Sequence, residues 1–145
     1  MTLPLLLPLL PVLAGVVTEL GPSPLAAEGH APQWQTLPVD GEGEGWVDTG
    51  WHRQDAVEGR PVELVLLRMN FTDSDGKPMV FDAVMAVDCA ARTIGIKETW
   101  FFLSRWGDNQ RAPIEKVDMS FASVPPSTGD LAILAHACTG PGAAP

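Results

Sequence analysis

The fold is decided by three consecutive stretches: Val62-Glu-Leu-Val-Leu-Leu-Arg-Met-Asn-Phe71, then Thr72-Asp-Ser-Asp-Gly-Lys-Pro78, then Met79-Val-Phe-Asp-Ala-Val-Met-Ala-Val-Asp-Cys89. The outer two are rich in Val, Leu, Met and Phe, which suit a pleated, half-buried surface. Asp75-Gly76 between them favours the positive φ angles of a tight hairpin turn. In the second arm the odd positions are Met79, Phe81, Ala83, Met85, Val87 and Cys89, while the even ones include Asp82 and Asp88. Side chains alternate across a strand, so this phase puts Cys89 on the apolar face.

Before the hairpin, Gln33 to Pro38 (with Trp34) and Trp46 to Trp51 read as short strands, separated by an exposed loop, Asp40 to Gly45, of alternating acid and glycine. After it, Ala90-Ala91-Arg92 makes a turn and Thr93 to Leu103 is a strand, with Ile94, Ile96, Trp100 and Phe102 in one phase and Thr93, Lys97 and Thr99 in the other. Trp106 to Pro113 reads as a polar loop. Glu115 to Ser123 alternates again, with Val117, Met119 and Phe121 facing one way. Short connections make the resulting sheet of about six strands mainly antiparallel.

The period then changes. Pro125-Pro126 stops the strand, and Ser127-Thr-Gly-Asp130 has capping-box spacing, a hydroxyl at the N-cap and an acid three residues on. Leu131, Leu134, Ala135 and Cys138 follow at helical spacing and are expected on one face. A helix this short does not persist alone in water, so it must dock. The expected class is α+β: a mainly antiparallel sheet with a C-terminal helix on one face.

The N-terminus reads as an address. Leu3 to Val17 is apolar, too short for a membrane span, and broken by Pro4, Pro8 and Pro11. Small residues follow at Ala26 and Ala27, the layout of a cleaved secretory signal. The expected organisation is a signal peptide over 1–27, a linker over 28–33, one domain over 34–138 and a flexible tail over 139–145. No cysteine stands near the cleavage point, so no lipid anchor is expected. The protein is expected to be periplasmic or secreted, with no membrane insertion after cleavage.

The chain carries a formal net charge of −9, and −8 once the leader with its Glu19 is removed. It has no basic cluster, which excludes nucleic acid as a partner, since binding there rests on Lys and Arg neutralising phosphates. The two cysteines of an exported domain are expected to pair, the alternative being two buried free thiols.

Trp34, the Val47-Asp48 pair, Val87-Asp-Cys-Ala-Ala-Arg92 and Val124-Pro-Pro-Ser-Thr-Gly-Asp130 before a helix ending in cysteine together resemble the bacterial surface-adhesin protein E family, over about Trp34 to Cys138. The resemblance implies a small antiparallel sheet of about six strands with a C-terminal helix fastened across one face by a disulfide, Cys89–Cys138. The named member of that family binds host extracellular-matrix and plasma proteins, so a protein-binding role is what the resemblance implies.

No catalytic constellation is visible. Asp40-Gly-Glu-Gly-Glu-Gly45 begins like a calcium loop, but its twelfth position is Trp51, not a bidentate acid. Asp73-Ser-Asp75-Gly76 lacks its first ligand, because that position is Phe71. His30, His52 and His136 have no metal-ligand spacing, and His136 in the last helical turn suits the helix dipole as a cation. Gly-x-Ser-x-Gly and Cys-x-x-Cys are absent, and the glycines at 41, 43 and 45 alternate with acids that repel phosphate. Cofactor and metal are therefore not expected.

Trp34, Trp46 and Trp100 read as core. Trp51 beside Arg53, and Trp106 beside Arg105, lie near expected loops, and Trp and Arg are enriched at interface hot spots. These four are the candidate partner contacts. The sequence thus leads to an exported, non-enzymatic protein-binding module, with a carrier or sensor of a small ligand held between helix and sheet as the alternative. An exposed sheet edge adds the option of a homodimer.

Overall fold

The computed structural model describes residues 31–41, 43–72, 74–102, 109–112, 114–120 and 126–139. The expected leader, the start of the linker, His30, Arg105, Trp106 and tail residues 140–145 lie outside these.

Six strands form one sheet: β1 (Trp34–Leu37), β2 (Glu44–Val57), β3 (Arg60–Thr72), β4 (Pro78–Asp88), β5 (Thr93–Phe102) and β6 (Asn109–Ala112). Spatial order follows chain order and every neighbouring pair is antiparallel. The expected hairpin is β3–β4, with Thr72 opposite Pro78 and Gly76 at φ 77°. A second tight turn joins β2 to β3. Glu58 and Gly59 both have positive φ, 51° and 80°, as a two-residue hairpin loop that matches strand twist requires. Among the described residues the sheet's edge strands are β1 and β6, each four residues long, and short edges limit chain-to-chain pairing.

The sixth strand is not the expected one. Asn109–Ala112, read from sequence as loop, pairs with Thr99–Phe102, whereas residues 114–120 contribute a single bridge, Ser120 to Ile94. The alternation of Val117 and Met119 has another cause. This segment crosses the sheet where Gly95 lacks a side chain; a Cβ there would lie 2.8 Å from Val117 and Met119 side-chain atoms and 2.9 Å from the Asp118 carbonyl. Met119 is buried by that crossing.

The helix α1 (Thr128–Thr139) starts from the expected capping box: Asp130 N–H donates to Ser127 Oγ at 3.1 Å, and Ser127 N–H donates to Asp130 Oδ2 at 3.0 Å. Its buried face differs from the expected one. Ile133, Leu134 and Ala137 are buried, whereas Leu131 and Ala135 are exposed. The run Leu-Ala-Ile-Leu-Ala is apolar all round, so its phase is set by the docking points and not by its own pattern. The disulfide Cys89–Cys138, with Cα atoms 5.6 Å apart, ties the C-terminal end of α1 to the end of β4.

The sheet buries side chains on both faces. On the helix face Val47, Val65, Leu67, Ala83, Met85, Val87 and Ile94 pack with Ile133, Leu134 and Ala137. On the opposite face Trp51, Leu64, Leu66, Val84 and Trp100 form a second cluster. That face also holds Arg68 and Asp82, both fully buried and bonded by two 2.7 Å contacts, Nε to Oδ1 and Nη2 to Oδ2. The Arg68 guanidinium stacks on Trp34 at 4.5 Å and on Phe102 at 5.1 Å, which satisfies the cation with ring faces as well as a carboxylate.

Candidate functional site

The helix leaves part of its sheet face uncovered. Beside the first turn of α1, a crevice of about 320 Å³ opens between helix and sheet. Leu37, Leu67, Ala83 and Met85 form its floor, Ile133 its roof, and Met69, Phe81 and Ile96 its open side. Strand register places Met69, Phe81 and Phe101 opposite one another on adjacent strands, so they share this face. Phe71 and Phe81 meet edge to face at 5.8 Å, and Phe81 and Phe101 lie 5.9 Å apart. Phe71 and Phe81 are half-buried and Phe101 is 39% exposed, so an apolar aromatic lip continues the crevice outward.

The polar groups at this site sit at the mouth, by the helix N-terminus. Asp40, Ser127 and Asp130 supply its polar side chains. Asp40 Oδ2 accepts the Thr128 N–H at 3.0 Å. Hydrogen bonds from Thr128 hold the Asp40 carboxyl below the usual carboxylate range, the side chain contributing more than the backbone. The acid-glycine loop is therefore partly structural, its first acid capping a helix far along the chain.

A second group of polar residues gathers at the other end of the helix. Strand β2 carries an irregularity in which residues 48–51 lie between Val47, opposite Leu67, and His52, opposite Val65. Asp48, fully buried, stabilises it by accepting the N–H groups of Gln33 and Gly50, each at 3.0 Å. The insertion inverts the strand's phase, so Trp51 turns to the opposite face and His52 to the helix face. There His52 Nε2 meets Glu63 Oε2 at 2.6 Å, and Gln54 Nε2 donates to Glu63 Oε1 at 3.2 Å. His136 approaches from α1. Burial lowers its pKa most, the neighbouring His52 lowers it further, and Asp48 opposes both. The ring is thus held neutral, in contrast to the dipole-favoured cation expected from its position. Among the described residues no Ser or Thr hydroxyl bonds the His52 imidazole, and both cysteines are committed to the disulfide. A hollow of about 590 Å³ runs past Glu63, Arg60, Asp88 and Cys89 on this side, and Arg60 lies 3.4 Å from Asp88 within it.

The candidate partner contacts fare unevenly. Trp51 is 5% exposed and belongs to the core of the opposite face, which corrects its expected place beside a loop. Arg53 is exposed, lies over the Trp51 ring at 5.1 Å and donates to the His52 carbonyl at 2.8 Å. Arg105 and Trp106 are outside the described residues. Trp46 and Trp100 are buried, as expected of core residues. Of the crevice residues only Ser127 and Asp130 belong to a sequence motif, the capping box; for the apolar ones the usable signal is the run of apolar side chains in a single phase of β4 and its partners.

Among the described residues no group of three or more His, Cys, Asp or Glu side chains is placed to hold a metal, and no helix is long and apolar enough to cross a membrane. The chain matches no family model, no curated protein and no solved structure.

Proposed function

We propose that this chain is an exported, non-catalytic binding module that takes an apolar ligand in the crevice between α1 and the sheet. The observation that carries the reading is the crevice: about 320 Å³ of mostly apolar space, with aromatic side chains left accessible at its lip. That volume is at the small end of the range for ligand pockets, and convergent polar groups confined to the mouth are the usual way such pockets orient a ligand. The roof is fixed in advance by the capping box at one end of the helix and the disulfide at the other, which lowers the ordering cost of binding. Export is supported by the disulfide, since such bonds persist in oxidising compartments, and by the apolar leader.

Titration of the intact, disulfide-bonded protein with the neutral fluorophore N-phenyl-1-naphthylamine tests the reading. Saturable enhancement is expected with the native protein and its loss with Ile133→Trp, which fills the crevice from the roof. Equal enhancement with both proteins, at matched thermal stability, overturns it.

A protein partner is the second reading, favoured by Phe101 at 39% exposure on the aromatic lip and Leu131 at 47% exposure on α1. Phenylalanine is enriched at interface cores. Capture of an envelope or matrix protein that is lost with Phe101→Ser, with fluorophore binding retained, would support it.

A further inference from the structure

We propose that the crevice selects organic cations: an apolar body bearing a positively charged head, in preference to the same body bearing a carboxylate or phosphate. This rests on the crevice being the ligand site.

The argument is one of charge at the mouth. Asp40 and Asp130 are both part of the lining, and no Lys or Arg is found among the described residues that line it. A helix N-terminus ordinarily attracts anions, with an effective charge of roughly +0.5. Here that end is already occupied by the protein's own acids. Asp40 takes the Thr128 N–H, Asp130 takes the Ser127 N–H, and Ser127 Oγ takes the Asp130 N–H. Two full negative charges therefore stand against about half a positive one, and an entering anion meets net repulsion. Hydrogen bonds from Thr128 keep the Asp40 carboxyl below the ordinary carboxylate range, so that acid is ionised at neutral pH. The basic residues of β5 and β6 are engaged with acids, Lys97 with Asp55 and Arg111 with Glu98.

The walls favour the same ligand class. The face of an aromatic ring carries negative potential, and Phe81 stands at the crevice with Phe71 and Phe101 against it. Met69 and Met85 contribute polarisable thioethers that adapt to irregular shapes. The formal net charge of −9 adds a long-range field that draws cations toward the protein and slows the approach of anions.

The test is calorimetric titration of the intact protein at pH 7 and low salt with two probes sharing one chain, octyltrimethylammonium and octanoate. The cation is expected to bind at least about tenfold more tightly, with the ratio shrinking at high salt. Asp40→Asn, whose amide oxygen can still accept the Thr128 N–H, is expected to narrow the ratio several-fold. Octanoate binding as tightly as the ammonium probe, or a ratio unaltered by Asp40→Asn, overturns the proposal. If the two octyl probes bind equally and Ile133→Trp still abolishes fluorophore binding, charge selection fails while the crevice stands. If Ile133→Trp leaves the fluorophore bound, the crevice itself fails.

Discussion

Asp40 and Thr128 are 88 residues apart in sequence, yet the Asp40 carboxylate receives the Thr128 N–H at 3.0 Å. The bond fastens the loop between β1 and β2 to the first turn of α1. At the other end of the same helix Cys138 is bonded to Cys89, the residue that follows β4. A helix of 12 residues, too short to be stable alone, is thereby held at both ends over an apolar crevice.

The clamp at the C-terminal end is the stronger of the two. The bridge closes a loop with a sequence separation of 49, for which the chain-entropy account gives about 4 kcal/mol. The double variant Cys89→Ser, Cys138→Ser is expected to lose about 3–4 kcal/mol in denaturant unfolding. Dithiothreitol should lower the melting temperature of the native protein toward that of the variant and leave the variant unmoved. Equal stability of the two oxidised proteins would show that packing alone holds the helix.

The clamp at the N-terminal end is sensitive to acid. Asp40 has its folded pKa held below the ordinary value of 3.8 by Thr128. A depressed carboxyl adds stability that is present above the unfolded pKa and lost as pH falls through the folded one. Between about pH 4 and pH 2, the native protein should therefore lose stability more steeply than Asp40→Asn. Hydrogen exchange at the first turn of α1 should accelerate over the same range. Parallel acid profiles would mean that Asp40 contributes nothing to the cap.

His136 acts nearer neutrality. Burial and the approach of His52 from β2 lower its pKa below 6.5, with Asp48 opposing, and Glu63 bonds the same His52. The folded state then favours the neutral ring. Stability is fully present above the unfolded pKa and falls as pH drops through the lowered folded value. A decline in melting temperature from about pH 7 to about pH 5 is expected, and His136→Gln should flatten it. An unchanged slope in that variant would assign the decline to other groups.

Much of this fold is legible from residue phase. Cys89 closes the alternation of β4 on its apolar side, and Ser127-Thr-Gly-Asp130 spells out the cap that the hydrogen bonds form. The failures have identifiable causes. Asn109-Gln-Arg-Ala112 is an edge strand, so it carries no apolar alternation to announce it. Val117 and Met119 do alternate, yet they answer to the bare backbone of Gly95 and not to a ladder partner. Trp51 reads as a partner contact near a loop because the insertion at 48–51, which turns it inward, leaves no mark in composition. The crevice joins residues from Leu37 to Ile133, and such distant neighbours share no local pattern.

The buried pair on the opposite face offers the sharpest test of packing. Arg68 and Asp82 are wholly buried, and burial pushes the Asp82 carboxyl upward against the pull of Arg68. Arg68→Met removes that pull and leaves the acid uncompensated, a change expected to cost about 3–5 kcal/mol at neutral pH. The cost should depend on pH in a defined direction. Without the guanidinium the folded pKa of Asp82 rises further, and a raised carboxyl is best tolerated below its unfolded pKa and destabilises as pH rises through the folded value. The gap between variant and native protein should therefore shrink on acidification toward about pH 4. Arg68→Met combined with Asp82→Leu should recover most of the loss at neutral pH, because two apolar side chains leave no buried charge unpaired. A double variant as unstable as Arg68→Met alone would place the cost in the lost stacking of the guanidinium on Trp34 and Phe102, making the ring contacts rather than the ion pair what holds that face together.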